Sequence, residues 1–547
     1  MKKLRVFLFV IVSLALLASG CTGSGGSSGS SGDTTKDNIL HVAKDTDIRS
    51  LDTNVATDGL SFEVIETFTD SLLDYDAAGN LIPRLAESWS VSEDGLTWTF
   101  NLRKDATWSN GDPVTAHDFV FSWRRLASPD LASDYNYMVS TADIVNAAGV
   151  MDGSLPLEDL GVEAVDDYTL VVHLAHSVPY FDQLMTFPVF NPLNEAFVTA
   201  QGDNYALSVD ALLSCGPFIL TEWTPGSGWK VTKNPDYYDA DSIKIDGIDF
   251  ILSSDYQASA LLFENGQVDI TKLSASLVDQ YSSNPAFQQV PDGYLWYLSL
   301  NFEIHPELRN VNLRLAMAWA IDRDNITQNI MKDGSYSAYY MIPIGLATGP
   351  DGKDFRDGGP TYYGYDLEKA KEYLELAKAE LGVDSFTFEF LIEDSEEAKN
   401  NAAQIQADLA EIGITLEIVS VPKSERLSRM NKSQKDFQIG MTRWGPDYAD
   451  PNTYLGDNFS AANSYLIEFW NNADYNACVA DIVPGGALST DVAARWDRMY
   501  ECEAILMAEV PIIPIWQSGI SELVSTRVHG LEQHVVGLTS YRNITLD

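Results

Sequence analysis

"DLEKAKEYLELAKAELGVDSFTFEFLIEDSEEAKNNAAQIQADLAEIGITLEIV", residues 366–419, sets two helices and two strands in the order that decides the fold class. Asp366 stands where a helix wants its N-cap, Leu367, Ala370, Leu374, Ala377 and Leu381 keep the helical period, and Gly382 supplies the stop. Phe386, Phe388 and Phe390 then alternate with polar neighbours, as a strand with one buried face does. A second helix is expected from about Ser395 to Ile412 with Gly413 as its stop, and Ile414, Leu416 and Ile418 make the next strand. Strand, helix and strand at this spacing form a βαβ unit, a fragment of a helix-covered sheet. The architecture is α/β.

Working outward, Val311, Leu315, Ala318 and Trp319 mark another helix at i, i+4, i+7 and i+8. The earlier stretch "SLLDYDAAGNLIPRLAESWSVSEDGLTWTFNLR", residues 71–103, reads differently. Turn signals at Ala-Gly-Asn and Glu-Asp-Gly separate short β-rich runs, including the alternation Leu96, Trp98, Phe100, Leu102. These predict antiparallel strands in a smaller, decorating lobe.

The chain opens with Lys2, Lys3 and Arg5 ahead of an apolar run from Val6 to Ala18, too short for a confident membrane span and typical of a secretory leader. It continues Leu17-Ala18-Ser19-Gly20-Cys21, similar to a bacterial lipobox, with Leu four positions before the cysteine where three is usual. Cys21 is the expected site of lipidation. Thr22 to Gly32 is nearly all Gly and Ser, a tether with a root-mean-square reach of roughly 20 Å. Removing the leader shifts the net charge from −44 to −47, so neither nucleic acid nor an anionic lipid surface is an expected ligand. About 515 residues beyond the tether exceed what one core can organise and predict two or three lobes.

Cys478 and Cys502 lie on two helical stretches joined by a Pro-Gly-Gly turn, so an antiparallel pair can bring them together, and a location outside the cell permits a disulfide. Cys215 is then expected as a buried free thiol. His173 and His176 fall in an expected strand, where an i, i+3 pair points to opposite faces, so no metal site is expected there. The sequence has no HExxH, P-loop, CxxC or dinucleotide fingerprint, and the GxSxG-like strings of the Gly/Ser tether have no strand or helix to form a nucleophile elbow. No cofactor, no metal and no catalysis are expected.

Pro83 to Leu126, "PRLAESWSVSEDGLTWTFNLRKDATWSNGDPVTAHDFVFSWRRL", resembles the extracellular solute-binding proteins of family 5, the peptide-binding components of bacterial ABC importers. The resemblance continues in order through "GPFIL" (216–220), "WKVTKNPDYYD" (229–239), "ALLFENGQVDI" (260–270), "VNLRLAMAWAIDRDNI" (311–326) and "AEVPIIPIWQS" (508–518). Residues 50–73 look most like the oligopeptide-binding, Opp-type lipoproteins. The resemblance implies a periplasmic-binding-protein-like fold of class II type: two α/β lobes joined by a hinge, with an extra β-rich lobe inserted in the first half. The expected division is a leader at 1–20, an anchored tether at 21–36, lobe I from 37–70, 196–298 and 516–547, the inserted lobe at 71–195, and lobe II at 299–515. Crossovers are expected near Leu300 and before Trp516.

The resemblance also places a binding motif of form W-x-x-D at Trp444-Gly445-Pro446-Asp447, within "RWGPDYADP". Asp447 is implied to pair with a peptide's α-ammonium. Arg443, Trp444 and Gly445 would bond its main chain, with Thr57, Asp58 and Gly59 making the matching backbone contacts from the other lobe. The chemistry fits: closing two lobes over a charged amine strips its water, which costs several kcal/mol unless a counter-charge is waiting. Asp450, followed by Pro451, reads as structural, and Trp444 reads equally as core or ligand contact. Gly445 stands where some members have a cysteine, and Met441 where others present an arginine to the peptide carboxylate, so the C-terminal partner stays open, with Arg443 and Lys423 as candidates. The implied partners are an oligopeptide and permease and ATPase subunits, for a monomer held to the extracytoplasmic face of the membrane by its lipid alone. Nickel, haem or a sugar on the same fold, peptide-pheromone sensing, and an unrecognised hydrolase are the competing readings.

Overall fold

The computed structural model describes residues 37–431, 434–460, 470–536 and 538–547; Cys21, the leader and the tether lie outside them. Among the described residues no helix is long and apolar enough to cross a membrane. The βαβ unit forms as its sequence dictates. Asp366 accepts hydrogen bonds from the Glu368 and Lys369 backbones and starts the helix Leu367–Leu381, and Gly382 ends it at φ 69°. Ser395 caps the helix Glu396–Glu411 by accepting from Ala398. That helix connects two parallel strands, Phe386–Glu393 and Ile414–Val421, in register from Phe386 opposite Ile414 onward.

These strands are one end of a sheet of eleven among the described residues. From that end the order is Ile414–Val421, Phe386–Glu393, Ile439–Trp444, Phe287–Leu300, Ile512–Val524, Ile270–Lys272, Ile39–Lys44, Gly247–Leu252, Gly228–Lys233 and Phe218–Thr224, and the eleventh strand, Tyr336–Ser337, pairs with Ile512–Val524 off this path. Two strands do the joining. Residues Phe287 to Pro291 pair with Leu523 to Gly519, whose C-terminal end continues to Ile270–Lys272. Past a register break between Pro291 and Leu295, residues Leu295 to Ser299 go on pairing with Gln517 to Ile512 on one edge, and on the other edge Leu295 to Leu300 now pair with Trp444 to Ile439. The same strand thus belongs to one lobe at its start and to the other at its end. Gln517 is fully buried at the break: its amide donates to the Asp292 and Ile344 carbonyls (3.1 and 2.9 Å) and accepts from the Ile344 N–H (2.8 Å).

Two large apolar cores result, one gathering Leu40, Phe62 and Ile248, the other Leu313, Phe390 and Ile405. The first extends into an antiparallel sheet ordered Ala86–Val91, Thr97–Leu102, Thr169–His173, Val162–Asp166. Trp98, Phe100 and Leu102 turn inward there, each burial worth about 2 kcal/mol or more. The helix Ala116–Ala127, with Phe119 and Trp123 fully buried, is among the packing elements of this core.

Two local expectations change. The helix Val311–Ala320 buries Leu313, Ala316, Met317 and Ala320 more deeply than Leu315 and Trp319. It is apolar nearly all round, and the half-buried Trp319 is covered by the Lys369 ammonium 3.6 Å from its ring centroid. His176 lies beyond the strand that ends at His173, and the two rings face different acids, Asp143 and Glu163. Cys478 and Cys502 are joined, with Cα atoms 5.5 Å apart, between the helices Ala473–Ile482 and Val492–Glu509. Cys215 is buried and unpaired by disulfide, and burial pushes its thiol far above the ordinary range.

Candidate functional site

Asp447 follows the strand Ile439–Trp444, at the point where Gly445 and Pro446 end the ladder with Phe287–Leu300. Its backbone N–H donates to Thr453 Oγ1 (3.2 Å), and its carboxylate accepts from the Tyr137 hydroxyl (2.7 Å), a residue 310 positions earlier. The side chain is buried, and no cation lies within ion-pairing reach among the described residues. Desolvation therefore pushes Asp447 up to about 7, with the Tyr137 hydroxyl opposing the shift. This is a carboxylate kept dry with a hydroxyl where a counter-charge would serve it better.

Arg443 does not answer that charge. Its guanidinium lies over the rings of Tyr294 and Trp296, 4.2 and 5.3 Å from their centroids. Trp444 is a core residue of the second lobe; its indole donates to the Thr453 carbonyl (3.1 Å) and its own carbonyl accepts from Tyr454 (3.2 Å). Gly445 has a steric reason to be glycine: a Cβ there would stand 2.5 Å from the Tyr294 ring. A Cβ on Gly59 would stand 3.2 Å from the hydroxyl of the same tyrosine. Tyr294 therefore spans the two stretches that the W-x-x-D motif and residues 57–59 were expected to contribute. Asp58 caps the helix Gly59–Phe68 by accepting from Ser61, so its carboxylate is already engaged, while Thr57 is exposed. Met441 is buried in the second core and Lys423 is exposed at the start of the helix Lys423–Met430.

The rest of the motif is structural. Asp450 accepts two hydrogen bonds from Arg495 (2.7 and 2.9 Å), both side chains buried. Tyr448 stacks on Tyr180 at 4.5 Å between centroids. Tyr137, Tyr180 and Tyr294 were not found from the sequence, where each is one tyrosine among 25 with no motif around it. A separate shallow cleft lined by Glu66, Asp70 and Arg542 does not include Asp447, and its arginine is paired with Asp70 at 2.9 Å.

Two lobes sharing two strands, with a dry carboxylate in the contact between them, define a two-lobed solute-binding protein of class II type. More specifically, residues 80–465 match the family model for bacterial extracellular solute-binding proteins, family 5, and the chain belongs to that family. A dipeptide-binding protein of Lactococcus lactis is 31% identical over 90% of this chain and 91% of its own. The substrate-binding domain of an oligopeptide ABC transporter from Bacillus anthracis superposes with a TM-score of 0.82 at 36% identity, covering 93% of this chain and 99% of its own. Peptide-bound OppA of Listeria monocytogenes gives 0.82 at 32% identity, covering 94% and 99%. The family is one of binding proteins, not enzymes.

Proposed function

We propose that the chain is the receptor of a bacterial ABC importer for oligopeptides, held outside the membrane by a lipid on Cys21, and that it hands its cargo to permease and ATPase subunits. The observation that carries this reading is the Asp447 carboxylate, sunk between the lobes against a hydroxyl and, among the described residues, no cation. A peptide's α-ammonium provides the missing charge and fixes where the peptide begins. Main-chain groups at Arg443 to Gly445 and at Thr57 to Gly59 then bond the peptide backbone in the strand-addition mode. Such bonds read no side chain, so affinity spreads over many sequences. The names of the L. lactis, B. anthracis and L. monocytogenes relatives support the ligand class. Closure turns on Asp292 to Tyr294 and the facing Gln517 to Gly519, where the register of the shared strands breaks.

The test is thermal unfolding of the protein lacking residues 1–32, unfolded and refolded first to strip bound cargo. Mixed-sequence tetrapeptides at a hundred times Kd should stabilise it by about 2.7 kcal/mol, and mass spectrometry should recover them intact. No stabilisation by peptides together with stabilisation by nickel, haem or a sugar would overturn the ligand class, and new fragments would make the protein a hydrolase.

A further inference from the structure

Tyr448 sits in the wrong core for its place in the chain. Trp444 before it and Tyr454 and Leu455 after it belong to the second core, yet Tyr448, fully buried, packs with the first. Its ring lies nearly flat on Tyr180, interplanar angle 16°, and Tyr180 is itself 1% exposed. The Tyr448 hydroxyl donates to Asp457 (2.8 Å), and the buried Asn452 amide donates to the hydroxyls of both tyrosines (2.9 Å to Tyr448, 3.3 Å to Tyr180). Arg495, fixed by Asp450 and by the Ile482 carbonyl (2.8 Å), brings its guanidinium 5.5 Å from the Tyr180 ring. One side chain of the second lobe is thus plugged into the first, braced by polar groups from its own side. None of these groups is Asp447, and the stacked rings are closed to solvent.

We propose that Tyr448 and Tyr180 form an inter-lobe clasp that sets how far the receptor is closed, and hence how tightly it holds any ligand, without reading the ligand. The proposal deepens the peptide-receptor reading and rests on it for the binding arm alone. Opening the lobes must unstack the pair and wet two tyrosines that are otherwise dry, a cost independent of what lies in the cleft. Asp447, one residue away, selects for an amine; the clasp sets the residence time of whatever has been selected. Tyr448 is accordingly a positioning residue and not a ligand contact.

The experiment compares Tyr448→Ala, Tyr180→Ala and the double variant with wild type, all as refolded protein lacking residues 1–32. Small-angle scattering of peptide-free protein should show each variant shifted toward a larger radius of gyration, an arm that needs no ligand and so reads the clasp even if peptides prove not to be the cargo. With a free-amine tetrapeptide, dissociation should accelerate about tenfold or more while association changes little, since changes within one interface fall mostly on the off-rate. The affinity ratio of free to N-acetylated peptide should stay at its wild-type value, and the double variant should be no worse than the worse single one. Tyr448→Phe, which keeps the ring, should retain most of the residence time and guards against a folding defect. Unchanged scattering and off-rates would overturn the clasp. So would a collapsed free-to-acetylated ratio, which would make Tyr448 merely the support of Asp447.

Discussion

Replacing Asp447 by Asn tests the site most directly, because the amide keeps the size and loses the charge. A hydrogen bond to a charged group is worth about 1.5–3 kcal/mol, so losing the ammonium's counter-charge should weaken free-amine peptides by about 10- to 150-fold. N-acetylated peptides, which bring no cation, should bind wild type and variant alike. The pH dependence sharpens the test. With Asp447 pushed up to about 7 by burial, the empty, closed site holds a proton below that pH, whereas the ammonium complex needs the carboxylate ionised. Binding then releases a proton, and affinity for free-amine peptides should fall as pH drops below 7, approaching tenfold per unit, while Asp447→Asn shows no such slope. The sign for stability is opposite. A carboxyl whose folded value lies above the unfolded 3.8 contributes stability at low pH that is lost as pH rises through about 7, so empty Asp447→Asn should melt higher than wild type at pH 8. Calorimetric titration of free and acetylated tetrapeptides at pH 5.5 and 8 reads the binding effects. Equal weakening of both peptides, or a wild type indifferent to acetylation, would reduce Asp447 to a turn residue.

Three further expectations follow from buried contacts. Gly445→Ala drives a methyl into the Tyr294 ring and should cost about 1–3 kcal/mol in urea unfolding, the range for overpacking a filled site, and weaken peptide binding as well. Glu503 accepts from Arg356 (2.5 Å), the Met341 and Ile342 backbones and Tyr362, so Glu503→Ala strands a buried arginine and should lower stability by about 3–5 kcal/mol while leaving the acetylation ratio untouched. Replacing Cys478 and Cys502 together by Ser frees a loop closed over a sequence separation of 24 and should cost about 3–4 kcal/mol by chain entropy, read as a lower urea midpoint.

What was legible in the sequence was local. Asp366, Ser395, Gly382 and Gly413 punctuate their helices through groups one to four residues away, so the βαβ unit needs no tertiary information. The buried face of Val311–Ala320 failed because apolar residues surround that helix and only its neighbours choose which side goes deepest. The site divides the same way. The W-x-x-D resemblance singles out Asp447, whereas Tyr137 reaches it from 310 residues away and Tyr294 lies against Gly445 from 151 residues away, through contacts that exist only once the chain is folded. Asp450 read as structural from its proline, yet its partner Arg495 carried no local signal.

The position of Ile512–Val524 has a consequence for biogenesis. This strand lies between Phe287–Leu300 and Ile270–Lys272, so the sheet lacks an interior strand until the final residues of the chain are present. A polypeptide crossing a membrane from its N-terminus would emerge with Ile270–Lys272 and Phe287–Leu300 both awaiting that piece, their facing hydrogen-bonding edges open for most of the passage. The antiparallel sheet within residues 86–173 closes on itself much earlier and can settle while the rest waits. Export should therefore yield a half-built intermediate with exposed strand edges, dependent on extracytoplasmic folding helpers, and truncations of even the last 35 residues should aggregate and not merely lose affinity.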